Sequence, residues 1–77
     1  MTQVNRFSPP RADERGALLS DYRESERFVK ENERERITSI SRTTWWRLEK
    51  AGQVPKRKRV GGSTVWLLSD LLAWMQK

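Results

Sequence analysis

Apolar residues are sparse along the first half of this chain and concentrated in the second, and their spacing changes along it. Residues 1–12 offer only Val4 and Phe7 around Ser8-Pro9-Pro10, too little apolar area to offset the entropy of ordering the backbone, so they read as a flexible arm. From 13 to 30, good helix formers carry a partial stripe of Leu18, Leu19, Tyr22, Phe28 and Val29, which suggests a short helix. Residues 31–37 are charged, with their apolar content coming late. The hydroxylated run Thr38-Ser39-Ile40-Ser41 then breaks the pattern as a turn between two helices.

Ser41 suits an N-cap, its oxygen accepting from the amide of Thr43 or Thr44, and the helix it starts runs through Trp45, Trp46, Arg47, Leu48, Glu49, Lys50 and Ala51. Gly52 stops it, since glycine tolerates the left-handed conformation, and Pro55 follows where no helix continues. Two short runs, 56–60 and 63–67, flank Gly61-Gly62, a pair able to take the positive φ angles of a two-residue hairpin turn. Ser69 is the expected cap of a last helix, with Asp70 in its first turn and Leu71, Leu72, Trp74 and Met75 on one face. The expected fold is mostly α with a small β-hairpin: helix, turn, helix, hairpin, helix.

On a helical wheel of about 100° per residue, Thr43, Trp46, Arg47 and Lys50 share one sector of the helix after Ser41, and Trp45 and Leu48 lie opposite. One face is core and the other is available for contact. The contact face offers cations, a hydroxyl and an aromatic ring, groups that bind phosphates, donate to guanine acceptors or pack on thymine methyls. The plainer alternative is an amphipathic helix with a solvated basic face. A tryptophan on the polar side weighs against it, unless Trp46 packs under the N-terminal arm. Alternation along the first hairpin strand sends Lys56 and Lys58 to one side and Arg57 and Arg59 to the other. Both sides cannot be core, so the hairpin projects as a wing whose arginines track phosphates or enter a minor groove. A basic edge that merely discourages strand pairing is the alternative.

Charge sharpens this picture. Of 16 basic and 10 acidic side chains, residues 31–77 hold ten and five, and 42–59 hold seven basic residues against the single acid Glu49. Such a run attracts a polyanion. The chain is 77 residues long, enough for one small core. It has no cysteine and no histidine, which excludes disulfides, thiolate zinc sites and imidazole bases. The hydroxyls of Ser41 and Ser63 lack an activating base, and no acidic cluster suggests a metal, so neither an enzyme nor a cofactor is expected. No stretch approaches the roughly 18 apolar residues of a membrane span, and the N-terminus lacks a secretory apolar region. A cytoplasmic, nucleoid-associated protein without membrane contact is the expectation.

The residues Ser41-Arg-Thr-Thr-Trp-Trp-Arg-Leu-Glu-Lys-Ala-Gly52, then Pro55-Lys56, Gly61-Gly62 and Trp66-Leu-Leu-Ser-Asp-Leu-Leu-Ala-Trp-Met75, resemble the AlpA-like family of phage and prophage regulators, whose relatives include small excisionases and the MerR-type winged helix. The resemblance covers 27–75 and divides the chain into an arm, 1–26, with some helical character, and a domain, 27–77. It implies a winged helix-turn-helix with helix 42–51 in the major groove of double-stranded DNA and wing 56–67 on an adjacent groove or the backbone. Arg42, Thr43, Thr44, Trp46 and Arg47 match the family's recognition positions, Arg57 to Ser63 its wing, Trp45 and Leu48 its buried positions, and Trp66, Leu71 and Trp74 its core. Three departures stand out. Ser39 replaces the usual turn glycine, 63–65 looks one residue short, and Glu33 to Arg36 is polar where relatives place aliphatic residues, so the first helix is expected to be short or packed by Phe28 and Val29.

The DNA-contacting set is therefore Arg42, Thr43, Thr44, Trp46, Arg47, Lys50, Lys56, Arg57, Lys58, Arg59 and Ser63. With four or five side chains reaching the groove, one copy discriminates poorly between sites, so cooperative self-association on tandem sites is expected. The resemblance implies an excisionase, that is a recombination directionality factor, or a transcriptional regulator of integrase genes, with an integrase as a further partner. A simple transcription factor at one promoter needs the same contacts. A different reading is an interaction module that uses 13–30 to bind a protein, with its basic face solvated or directed at RNA.

Overall fold

The computed structural model describes residues 6–76. In chain order the elements are α1 (Ala12–Asp21), β1 (Phe28–Lys30), α2 (Glu31–Thr38), α3 (Arg42–Lys50), β2 (Lys58–Val60), β3 (Ser63–Leu67) and α4 (Leu68–Met75). The strands form one antiparallel sheet in the order β1-β3-β2. Val60 pairs with Ser63 across Gly61 and Gly62, whose φ angles of 55° and 84° are the paired positive values that a two-residue hairpin turn needs. The departure at 63–65 therefore leaves the hairpin intact. With α2, its turn and α3 beside this hairpin, the architecture is a winged helix-turn-helix.

β1 is an addition to the expected hairpin. Phe28, Val29 and Lys30 pair with Leu67, Trp66 and Val65 in a third strand, instead of extending a helix from residue 13. Its alternation buries Val29 completely and leaves Phe28 51% exposed, so only Val29 packs the domain as expected of that pair.

The core joins Val29, Trp45, Val54, Trp66, Leu68, Leu71 and Leu72. Trp45 of α3 is its hub, meeting Trp66 edge-on at 6.3 Å between centroids and Trp74 at 5.2 Å. Such perpendicular pairs place the positive edge of one ring on the negative face of the next. The polar helix α2 contributes an arginine to this core. Arg34 is fully buried, and its guanidinium lies 4.7 Å from the Trp45 ring centroid and 5.8 Å from that of Trp66. Its N–H groups donate to both carboxylate oxygens of Glu31, to Thr38 Oγ1 at 3.2 Å and to the Ile40 carbonyl at 2.6 Å. The stem and planar head thus fill the place of an aliphatic side chain while holding the backbone of the turn. That turn passes through Ser39 in the left-handed conformation, φ 60°, with its N–H donating to the Glu35 carbonyl at 2.7 Å. It is the glycine-like C-cap geometry, adopted here by serine.

The segment before residue 27 is tied to α4. Leu18 of α1 is buried, and Arg15 Nη1 donates to Ser69 Oγ and Asp70 Oδ1, both at 2.7 Å. The α4 cap also differs from expectation. Leu67, not Ser69, occupies the N-cap, and the Ser69 amide donates to Glu26 Oε1 at 3.1 Å while its hydroxyl donates to Oε2 at 2.7 Å. A carboxylate from 43 positions upstream supplies what a local serine oxygen would, and its negative charge suits the positive end of the helix dipole. Residues 1–5 of the expected arm lie outside the described residues.

Candidate nucleic-acid interface

α3 begins as its sequence implies. Ser41 Oγ accepts the Thr44 N–H at 3.3 Å, and the helix closes through Ala51 onto Gly52, whose φ is 74°. Burying Trp45 turns the opposite face outward, so Arg42, Thr43, Thr44, Trp46, Arg47 and Lys50 are all exposed. Three of these are partly engaged within the protein. Ser41 Oγ donates to Thr44 Oγ1 at 3.1 Å, and Lys50 Nζ sits 4.3 Å above the Trp46 ring. Trp46, 49% exposed among the described residues, therefore lies under a cation on the open face.

On the wing, Lys56, Arg57, Lys58 and Arg59 are exposed and Ser63 is partly buried. The strand starts only at Lys58, so strict alternation does not govern Lys56 and Arg57. What positions Arg57 is Glu49. Its Oε2 accepts the Arg57 backbone N–H at 2.8 Å, and its Oε1 lies 3.5 Å from Arg57 Nε. The lone acid of the 42–59 stretch thus ties α3 to the root of the wing, a role that its isolation among cations could have signalled.

Helix and wing enclose a concave region of about 450 Å³, to which Arg42, Thr43, Trp46, Arg57 and Thr64 contribute. The nearly buried Trp45 and Trp66 form part of its wall, and their indole Nε1 atoms have no hydrogen-bond partner among the described residues. Thr64, on β3, was not among the residues singled out by pattern. Chemically the surface presents exposed cations, hydroxyls and one half-exposed indole, a set suited to phosphates, base edges and sugars. Among the described residues no cluster of acidic side chains is arranged to hold a metal ion, and no helix is long and apolar enough to cross a membrane.

The family described as prophage CP4-57 regulatory protein (AlpA) matches residues 27–77, two thirds of the chain. The chain belongs to the AlpA family. The match takes in the whole helix-turn-helix, the wing and α4, and hence every candidate contact residue of this AlpA-family protein. It stops short of α1, Arg15 and Glu26, so the clamp on α4 comes from outside the matched region. No curated protein and no solved structure matches the chain.

Proposed function

We propose that this AlpA-family protein is a sequence-specific binder of double-stranded DNA that serves a phage or integrative element. In this reading α3 enters the major groove, with Arg42, Thr43, Thr44, Trp46, Arg47 and Lys50 facing bases and nearby phosphates. Lys56, Arg57, Lys58, Arg59 and Ser63 follow an adjacent groove or the backbone. The observation that carries the reading is the exposed basic face of α3, fixed beside a basic wing by the Glu49 to Arg57 contact. Cations spaced along two adjoining elements match a line of phosphates better than one dispersed over a surface for solubility.

Membership in a prophage regulatory family supports a regulatory role. Within it we favour an excisionase that also controls integrase genes. One recognition helix and one short wing supply few discriminating contacts, so several copies binding tandem sites cooperatively supply the specificity, bending the DNA for an integrase complex. The site of action is the nucleoid, in the cytoplasm.

The test is to incubate the protein with fragmented host DNA at moderate salt, sequence what is retained, and repeat with the Arg47→Ala, Arg57→Ala double variant. Tandem repeats beside an integrase attachment site, enriched by the native chain and lost in the variant, are the expected result. Enrichment at a single promoter would replace the excisionase by a simple transcription factor. No enrichment over input would end the DNA reading and direct the search to protein or RNA partners.

A further inference from the structure

A second basic cleft lies at the C-terminal end of α3, about 600 Å³ in volume, where Arg6 joins Lys50, Lys56, Arg57 and Lys58. Glu49 and Arg57 border both this cleft and the one between α3 and the wing, so the two adjoin across that ion pair. Of the five cations here, four belong to α3 or the wing and one comes from the segment outside the family match.

The position of Arg6 is set from two sides. Next to it, the Phe7 N–H donates to the Gly52 carbonyl at 2.9 Å, pinning the segment to the residue that ends α3. Arg6 itself packs so closely there that a β-carbon at Gly52 would lie 3.3 Å from its Nη1. On the other side Pro9 and Pro10, with φ fixed by their rings, lead straight into α1, which Arg15 anchors on Asp70. A stiff strap between two anchors loses little further entropy when a ligand arrives. The two carboxylates that border the cleft are already engaged, Glu49 with Arg57 and Asp70 with Arg15, which leaves Arg6, Lys50, Lys56 and Lys58 to set its potential.

We propose that the strap formed by residues 6–10 is part of the DNA-binding surface, and that Arg6, with Lys50, Lys56 and Lys58, grips a backbone phosphate flanking the stretch read by α3. The inference rests on the DNA-binding reading and adds to it a contact that the matched domain alone does not contain. A purely structural alternative is that Arg6 only balances the partial negative charge of the α3 C-terminus. That role would change the melting temperature and leave counterion release untouched.

Salt dependence separates the two. Binding of the full chain to a mixed-sequence 30-base-pair duplex, followed by fluorescence anisotropy across a salt series, gives the slope of log K against log salt. Each phosphate contact contributes about 0.9 to that slope. Arg6→Ala is expected to weaken binding severalfold and flatten the slope by about 0.9, Arg6→Lys to restore the slope, and Arg11→Ala, an exposed residue outside the cleft, to match the native chain. Native affinity and slope in Arg6→Ala, alongside weakened binding in Arg47→Ala, would overturn the strap contact and leave the DNA reading standing. Absence of duplex binding by the native chain would overturn both.

Discussion

Ser39 is one of two non-glycine residues, with Arg23, that the described chain holds at positive φ. It closes α2 with φ 60° and ψ 23°, within the left-handed region, where the β-carbon of an L-residue crowds the following carbonyl at a cost of about 1–2 kcal/mol. Glycine escapes that cost but gives up about 0.5–1 kcal/mol through the greater freedom it loses on folding. The side chain is exposed, and the hydrogen bond at this site runs from the Ser39 backbone N–H to Glu35, so substitution removes no buried packing and keeps the bond. Ser39→Gly should therefore stabilise the domain by about 0.5–1 kcal/mol. For a domain of this size that raises Tm by about 2–8 °C. Thermal unfolding followed by circular dichroism measures it, with Ser39→Ala as the companion, since alanine keeps the strain and should not raise Tm. A Tm for Ser39→Gly equal to or below that of the native chain would refute the strain argument. The duplex affinity of Ser39→Gly should stay unchanged, because the Arg34 bond to Ile40 fixes the turn in either case.

Glu31→Ala leaves the fully buried Arg34 guanidinium without its carboxylate and should cost about 3 kcal/mol, the lower end of the range for breaking a buried pair because Glu31 is itself partly exposed; chemical denaturation would read this as a lower midpoint. Gly52→Ala places a side chain at φ 74° and against Arg6, so a loss of about 1–2 kcal/mol is expected in the same assay. Glu33 is held below its usual range by the hydrogen bond from Arg27, so its contribution to stability is present above about pH 4.5 and lost as the pH falls through the lower folded value. Glu33→Gln should accordingly shrink the drop in Tm on acidification and leave Tm differences near neutral pH constant. If most of the seven cations of 42–59 meet phosphates, native duplex binding should show a salt slope between about −4 and −6, and a slope near zero would remove the electrostatic basis of the interface.

The elements legible in the sequence are those whose signals are local. Ser41 and Gly52 bracket α3, Gly61-Gly62 sets the hairpin turn, and the spacing of Trp45 against Trp46 and Arg47 separates the buried face from the exposed one, all within one or two turns of chain. What escaped depends on partners far along the chain. β1 is three residues long with a single inward side chain, too short for alternation to register, and exists because β3 offers it an edge. Ser69 looks like a cap on composition, yet Glu26, 43 positions earlier, takes that role. The Arg15 anchor reaches 55 positions ahead, and without it residues 12–21 show only a weak stripe.

Arg34 is the most instructive of these cases. Every pattern rule assigns an arginine between two glutamates to the solvent side, because burying an unpaired guanidinium is prohibitive. The rule fails here because the penalty is offset locally and at once: Glu31 lies one turn back, Thr38 one turn on, the Ile40 carbonyl needs a donor at the turn, and two indole faces close over the cation. The core has two tryptophans at this point, and the α2 side chain that reaches their faces is Arg34, with Ile37 only partly buried against the core. A guanidinium over such rings gains a cation–π attraction that an aliphatic chain in the same place would lack. The polarity of 33–36 and the run of tryptophans in 45–74 are thus two halves of one packing solution. The same contact that completes the core orients Trp45, and Trp45 fixes which face α3 turns outward.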